Sequence, residues 1–206
     1  ALSAGKIYNS NQAMLHALLS QRACFIVNQY VVQDSFDKTR VVLQEAARKS
    51  DLILSTGGVS VGEEDHVKDA VESLGGLDVW KVKMKPGKPL AFGKIGDTVF
   101  LGLPGNPVSS FVVCCVFGFP LIRKMQGASN YEPLSIQLPI AFDVPNPQSR
   151  PEYLRVRIEN NFVVKHPNQS SGVLSSVSWA NALAFIPADV TLAEGDLVDV
   201  YPFDYL

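Results

Sequence analysis

Cysteine is scarce in this chain and badly placed for metal chemistry. There are three in 206 residues: Cys24 stands in one apolar run, and Cys114 and Cys115 lie side by side in another. Neither placement has ligand spacing, and the set reads as small core residues of a reduced compartment. Histidine is equally thin. His16, His66 and His166 are too scattered for a metal triad. No Gly-x-Ser-x-Gly elbow and no Cys–His arrangement is present, so covalent catalysis is not expected. Charged residues make up only 18% and the formal net charge is −2, which removes any global pull toward nucleic acid or an anionic membrane. The longest apolar run, residues 111–122, is short for a bilayer and contains Gly118 and Pro120, so it reads as a buried helix. No secretory leader pattern stands at the N-terminus, and the expected location is cytoplasmic.

What remains is a globular composition with 47% apolar residues, enough for a core and for one large or two small domains. A helix capped by Ser10 or Asn11 carries Met14, Leu15, Leu18 and Leu19 on one face. Residues 23–32 read as a strand. Asp34, Ser35 and Asp37 open a second helix with an apolar stripe of Val41, Val42 and Ala46. Residues 51–55 (DLILS) read as a short strand covered on both faces. A third helix over 63–74 ends at Gly75-Gly76. Strands follow over 79–84 and 90–95, and Gly96-Asp97 turns a hairpin into 98–101. Pro107 starts a long helix, in the first turn where its missing N–H costs nothing. This alternation predicts a three-layer α/β/α domain over 1–127 with a mostly parallel sheet. After the polar stretch 127–133, short alternating runs (134–142, 152–158, 161–166, 181–188 and 197–203) predict a small all-β, barrel-like domain over 134–206.

Three turns carry the candidate chemistry. Residues 55–66 (STGGVSVGEEDH) place Gly57, Gly58 and Gly62 with Ser60 before a helix, so backbone N–H groups can face an anion. The loop is neither a Walker loop nor GxGxxG. Glu63 and Glu64 suit a helix N-terminus, whereas Asp65 is read as a functional acid that could hold Mg²⁺ against phosphate oxygens. The bend 80–89 (WKVKMKPGKP) puts Lys81, Lys83 and Lys85 on one face if it stays extended, either as an anion site or as a guarded strand edge. Residues 103–107 (LPGNP) form a rigid wall running onto a helix. Arg155 and Arg157 share a face of a β-strand, where they either reach back toward the pocket or sit solvated on the surface.

Four blocks in order, GKIYNSN (5–11), TGGVSVGEEDHVKD (56–69), WKVKMKPGKPLAFG (80–93) and GLPGNPVSS (102–110), resemble the molybdopterin molybdenumtransferases (the MoeA proteins and the E domain of gephyrin). QSSGVLSSVSWANALAFIP (169–187) resembles a turn and strand of that family's barrel. The resemblance implies hydrolysis of adenylylated molybdopterin with insertion of molybdate at its dithiolene, releasing AMP and molybdenum cofactor. It implies catalytic roles for Asp65, Lys81 and Lys85, with Mg²⁺ as cofactor at Asp65 and molybdate as substrate. It places Asn9, Asp34, Gly57, Gly58, Ser60, Gly62, Pro104, Gly105, Asn106, Pro107, Arg155 and Ser171 in substrate binding. It further implies a homodimer in the full-length context and a molybdopterin adenylyltransferase as a possible partner. Members of the family carry an elongated segment and a first sheet strand before the point where this chain begins, so the chain is expected to be a fragment. Two other readings stay open: a molybdopterin adenylyltransferase, and a catalytically silent scaffold or peptide-binding module.

Overall fold

The structure, a computed structural model, describes residues 8–59 and 66–206. The chain divides into two compact units, one of Ala1–Trp80 with Pro89–Phe111, the other of Lys81–Lys88 with Val112–Leu206.

The first unit holds α1 (Ser10–Ser20), α2 (Phe36–Ala47), β1 (Leu52–Thr56), α3 (His66–Leu74), β2 (Gly75–Lys81), β3 (Pro89–Ile95) and β4 (Thr98–Leu103). Its four-stranded sheet has the order β1-β4-β3-β2. β1 runs parallel to β4, but β3 and β4 are antiparallel, with Ile95 opposite Thr98. The sheet is therefore less parallel than expected. The two-residue turn Gly96-Asp97 forces the reversal, and Gly96 supplies the positive φ (+58°) such turns need. The core packs Leu43, Ile53, Ala70, Val71, Ala91 and Phe100 between sheet and helices.

Two expected elements differ in this unit. Residues 24–32 form no strand. Their apolar side chains have no sheet to lie on: Phe25 is 90% and Val31 79% exposed. On α2 the buried positions are Thr39 and Leu43, with Ala46 and Ala47 half-buried, while Val41 is exposed. The stripe thus follows the 3.6-residue period from Phe36 and misses Val41.

From Pro107 a helix runs to Met125 as α4 (Pro107–Val113), a π-helical turn (Cys114–Gly118) and α5 (Phe119–Met125). At 19 residues and a mean hydropathy of 1.6 it could cross a membrane by length and composition, but 61% of it is buried. Val108, Val112, Val113, Cys114 and Cys115 are all inside, as in a core helix.

The second unit's sheet is β5 (Ile136–Pro139), β6 (Glu152–Glu159), β7 (Phe162–Lys165), β8 (Ala182–Ile186) and β9 (Leu197–Pro202), in the order β5-β9-β8-β6-β7 and antiparallel throughout. A bridge between Ile140 and Val163 links the end of β5 to β7, the two outer strands, and curls the sheet toward a barrel. Ile140, Val156, Val163, Ala182, Ala184 and Val200 fill the interior. A short helix α6 (Ser175–Trp179) and a closing 3₁₀ turn (Phe203–Tyr205) complete the chain.

Candidate functional site

In the first unit, two glycine- and proline-shaped turns meet, and the start of α1 is tied to one of them. Gly57 and Gly58 adopt φ of +77° and +67°, where a side chain would be strained. The Gly57 N–H donates to Leu103 O at 3.1 Å, extending the β1–β4 ladder by one rung. A Cβ built on Gly105 would lie 3.7 Å from Gly57 Cα, so the two turns touch. Pro104 is buried, and its carbonyl accepts from Ser110 Oγ. Asn106 O accepts from Ser110 N at 2.9 Å and starts the helix after Pro107. Asn11, at the start of α1, donates from Nδ2 to Gly105 O at 2.8 Å. It is 7% exposed, and its Oδ1 has no partner; neither does Ser55 Oγ. Asn9 rather than Ser10 or Asn11 is the N-cap of α1, accepting from Gln12 N at 3.3 Å. The Asp34 side chain is 90% exposed and lies 3.9 Å from His66 Nε2, too far for a hydrogen bond. His16 is exposed. Ser60, Gly62 and Asp65, with Glu63 and Glu64, lie outside the described residues. Among the described residues no three His, Cys, Asp or Glu side chains gather around a common point, so the described part of the molecule offers Mg²⁺ no ligand set of its own.

The second unit gathers the cations. The expected row of lysines on one face is not formed: β2 ends at Lys81 and the chain bends through 82–88, so strand alternation does not apply to Lys83 and Lys85. Lys81 and Lys83 are exposed. Lys85 docks by its backbone against β6, through Lys85 N to Pro151 O (2.9 Å) and Tyr153 N to Lys85 O (2.8 Å). Its Nζ lies 3.1 Å from Glu152 Oε1. A half-exposed pair of this kind adds at most about 1 kcal/mol to stability, but it fixes where the ammonium stands.

Arg155 is the unexpected member. Fully buried (0% exposed), it corrects the alternative of a solvated surface residue. Leu154 and Val156 face the barrel interior, and Arg155 lies under the loop 166–176 on the opposite face. Its Nε donates to Ser176 Oγ at 3.2 Å and its Nη2 to Ser170 O at 3.2 Å, while Nη1 has no partner. Burial pulls the guanidinium down to about 10, and the Glu152 carboxylate pushes it back up, so it is charged at neutral pH. Burying a cation without a bonded carboxylate is costly unless something else repays it. Ser171 follows Ser170 in the same loop. Arg157, two residues along β6, donates from Nε to Trp179 O and lies over the Trp179 ring at 4.9 Å, with His166 edge-on to that ring at 5.0 Å.

The sequence reading did not single out Asn11 or Gln169. Asn11 was weighed only as a cap, and nothing in a sequence separates a capping amide from one tied across to a distant turn. Gln169, whose amide holds the backbone of Arg155, stands at the edge of the 169–187 block, and nothing local marks that role.

Comparison with known proteins identifies the family. Residues 1–124 match the family model described as a probable molybdopterin binding domain, and residues 137–203 match the MoeA C-terminal region (domain IV). The chain therefore belongs to the MoeA/gephyrin E-domain family. It is 40% identical over 134 residues to the molybdopterin molybdenumtransferase of Haemophilus influenzae, covering 64% of this chain and 32% of that protein. With the molybdopterin molybdenumtransferase of a Nostoc species it shares 32% identity over 200 residues, covering 92% of this chain and 46% of the relative. The crystal structure of the MoeA molybdopterin biosynthesis protein from Pyrococcus horikoshii has the same fold, with a TM-score of 0.84 at 24% identity over 98% of this chain and 50% of that one. The chain thus spans a third to a half of the length of these proteins.

Proposed function

We propose that this chain is the oxyanion- and pterin-handling part of a molybdopterin molybdenumtransferase. It acts in molybdenum cofactor biosynthesis, inserting molybdate into adenylylated molybdopterin with release of AMP. The observation that carries the reading is Arg155: a buried cation whose Nη1 donor is unspent, set beside a serine-rich loop and within electrostatic reach of Glu152. A guanidinium is always charged at working pH and presents donors in a fixed fork, which suits a tetrahedral dianion. Lys85 and Lys81 supply point charge that offsets repulsion between molybdate and the ligand phosphate. In the first unit, Asn9, Gly57, Gly58 and the wall of Pro104, Gly105, Asn106 and Pro107 shape the pterin side. Asn11 Oδ1 and Ser55 Oγ add unpartnered groups able to take N–H donors from a heterocycle. Asp34, Ser60, Gly62 and Ser171 belong to the same proposal as substrate-binding residues, and Asp65 as the acid that activates water or holds Mg²⁺. So do assembly as a homodimer in the full-length protein, a molybdopterin adenylyltransferase as the supplier of substrate, and a cytoplasmic location. Calorimetry of molybdate binding tests the core of the reading. Hydrogen bonds to charged groups contribute about 1.5–3 kcal/mol, so Arg155→Ala should weaken binding by roughly ten- to a hundredfold. Lys85→Ala should weaken it less. Equal affinity in wild type and Arg155→Ala would remove the site assignment.

A further inference from the structure

We infer that Gln169 is a positioning residue for Arg155, acting as a side-chain substitute for a missing rung of the β6–β7 ladder. β6 and β7 pair as far as Val156 opposite Lys165, and one more bond, His166 N to Arg155 O at 3.1 Å, continues the ladder. The chain then turns away at Pro167, and the N–H of Arg155 on that edge loses its strand partner. Gln169 returns to fill the place. Its Oε1 accepts from Arg155 N at 3.0 Å, and its Nε2 donates to Arg155 O at 2.9 Å and to His166 O at 3.0 Å. A primary amide carries the same donor and acceptor as a peptide group, so it can satisfy both backbone groups of one residue.

The consequence reaches the guanidinium. Ser170, the next residue, accepts from Arg155 Nη2 through its carbonyl, and Ser176 accepts from Nε. Both ends of Arg155 are therefore tied to one loop: the backbone through Gln169, the tip through Ser170 and Ser176. The His166 ring steadies the same loop, with Nδ1 2.9 Å from Asn168 O and 3.0 Å from Asn168 N. The long side chain gives up its rotamer freedom when the protein folds instead of when an anion arrives, and this preorganises the unspent Nη1 donor. Gln169 touches no ligand in this scheme.

The inference takes its ligand from the oxyanion reading above, but not its geometry, and the test separates the two. In the whole 206-residue chain, the Arg155 Nε–H resonance is assigned by its loss in Arg155→Lys. Its hydrogen exchange and the affinity for molybdate are then measured in wild type, Gln169→Met and Ile140→Val. Ile140→Val is a core change in the same unit that leaves the Gln169 amide in place. Gln169→Met should speed Nε–H exchange and weaken molybdate binding, each about tenfold, as outer-shell changes commonly do, while Ile140→Val moves neither. Unchanged exchange in Gln169→Met, or an equal change in Ile140→Val, overturns the positioning role. If exchange responds to Gln169→Met but wild type binds no molybdate, the positioning role stands and the ligand assignment falls. Should Gln169→Met not fold, Gln169→Asn, one methylene too short to reach both backbone groups, gives the same readout.

Discussion

The two units solve the sheet-edge problem differently. The second curls its five strands until Ile140 bridges Val163, and its apolar residues close around Val156 and Val200. Among the described residues, the first leaves β1 at the end of its sheet order beside β4, and it carries Phe25 and Val31 almost bare. Two kinds of unpartnered polar atom stand out among the described candidate-site residues. The first unit holds neutral unpartnered atoms, Asn11 Oδ1 and Ser55 Oγ; the second holds a buried cation with one unspent donor.

The comparison can be broken most sharply at the cores. Phe100 in the first unit is fully buried, and Phe100→Ala should cost about 3–5 kcal/mol in urea unfolding. Ile140→Ala in the second should cost about 2–5 kcal/mol. If the units melt separately, each change should move only its own transition; one shared transition would show a single cooperative fold. Gly102→Ala tests the tightness of the first sheet. Its new methyl would sit 2.6 Å from Val59 Cγ1 and 3.0 Å from Ala91 Cβ, and about 1–3 kcal/mol should be lost by thermal unfolding.

A smaller effect depends on pH. Burial, with a lesser push from Tyr201, raises the Tyr153 phenol from 10.0 to about 12. Between those values the folded state keeps a proton that the unfolded chain has lost. Stability should therefore fall as pH rises from 10 toward 12, and Tyr153→Phe should flatten that fall in thermal melts across the window. The smallest effect belongs to the open side of the first unit. Phe25→Ser should leave stability within about 0.5 kcal/mol, because the ring contributes little burial to lose. A large loss would mean that residues 24–32 are packed in solution.

Much of this molecule was legible from its sequence. Runs of alternating residues gave all five barrel strands, because period-two patterning survives wherever one face is buried. The hairpin at Gly96-Asp97 and the helix from Pro107 followed from turn chemistry. Residues 24–32 did not, because strand propensity describes a surface waiting for a partner and no described strand pairs with it. The lysine row over 81–85 failed because the bend at Lys83–Lys88 ends the alternation that would have aligned it. Arg155 was noticed but not understood: an arginine on a strand reads as surface until the loop that covers it is known. That loop is tied down by Gln169, Ser170 and Ser176 at separations of 14 to 21 residues, beyond any local periodicity.

The stack of Arg157, Trp179 and His166 has a practical side. The indole sits at the far end of the strap that begins at His166, touched by one ring and one cation. Its ultraviolet emission should change whenever either neighbour lifts away, so the opening of the strap can be followed without any attached dye. The chain has two tryptophans, and a Trp80→Phe background would leave Trp179 as the single lamp.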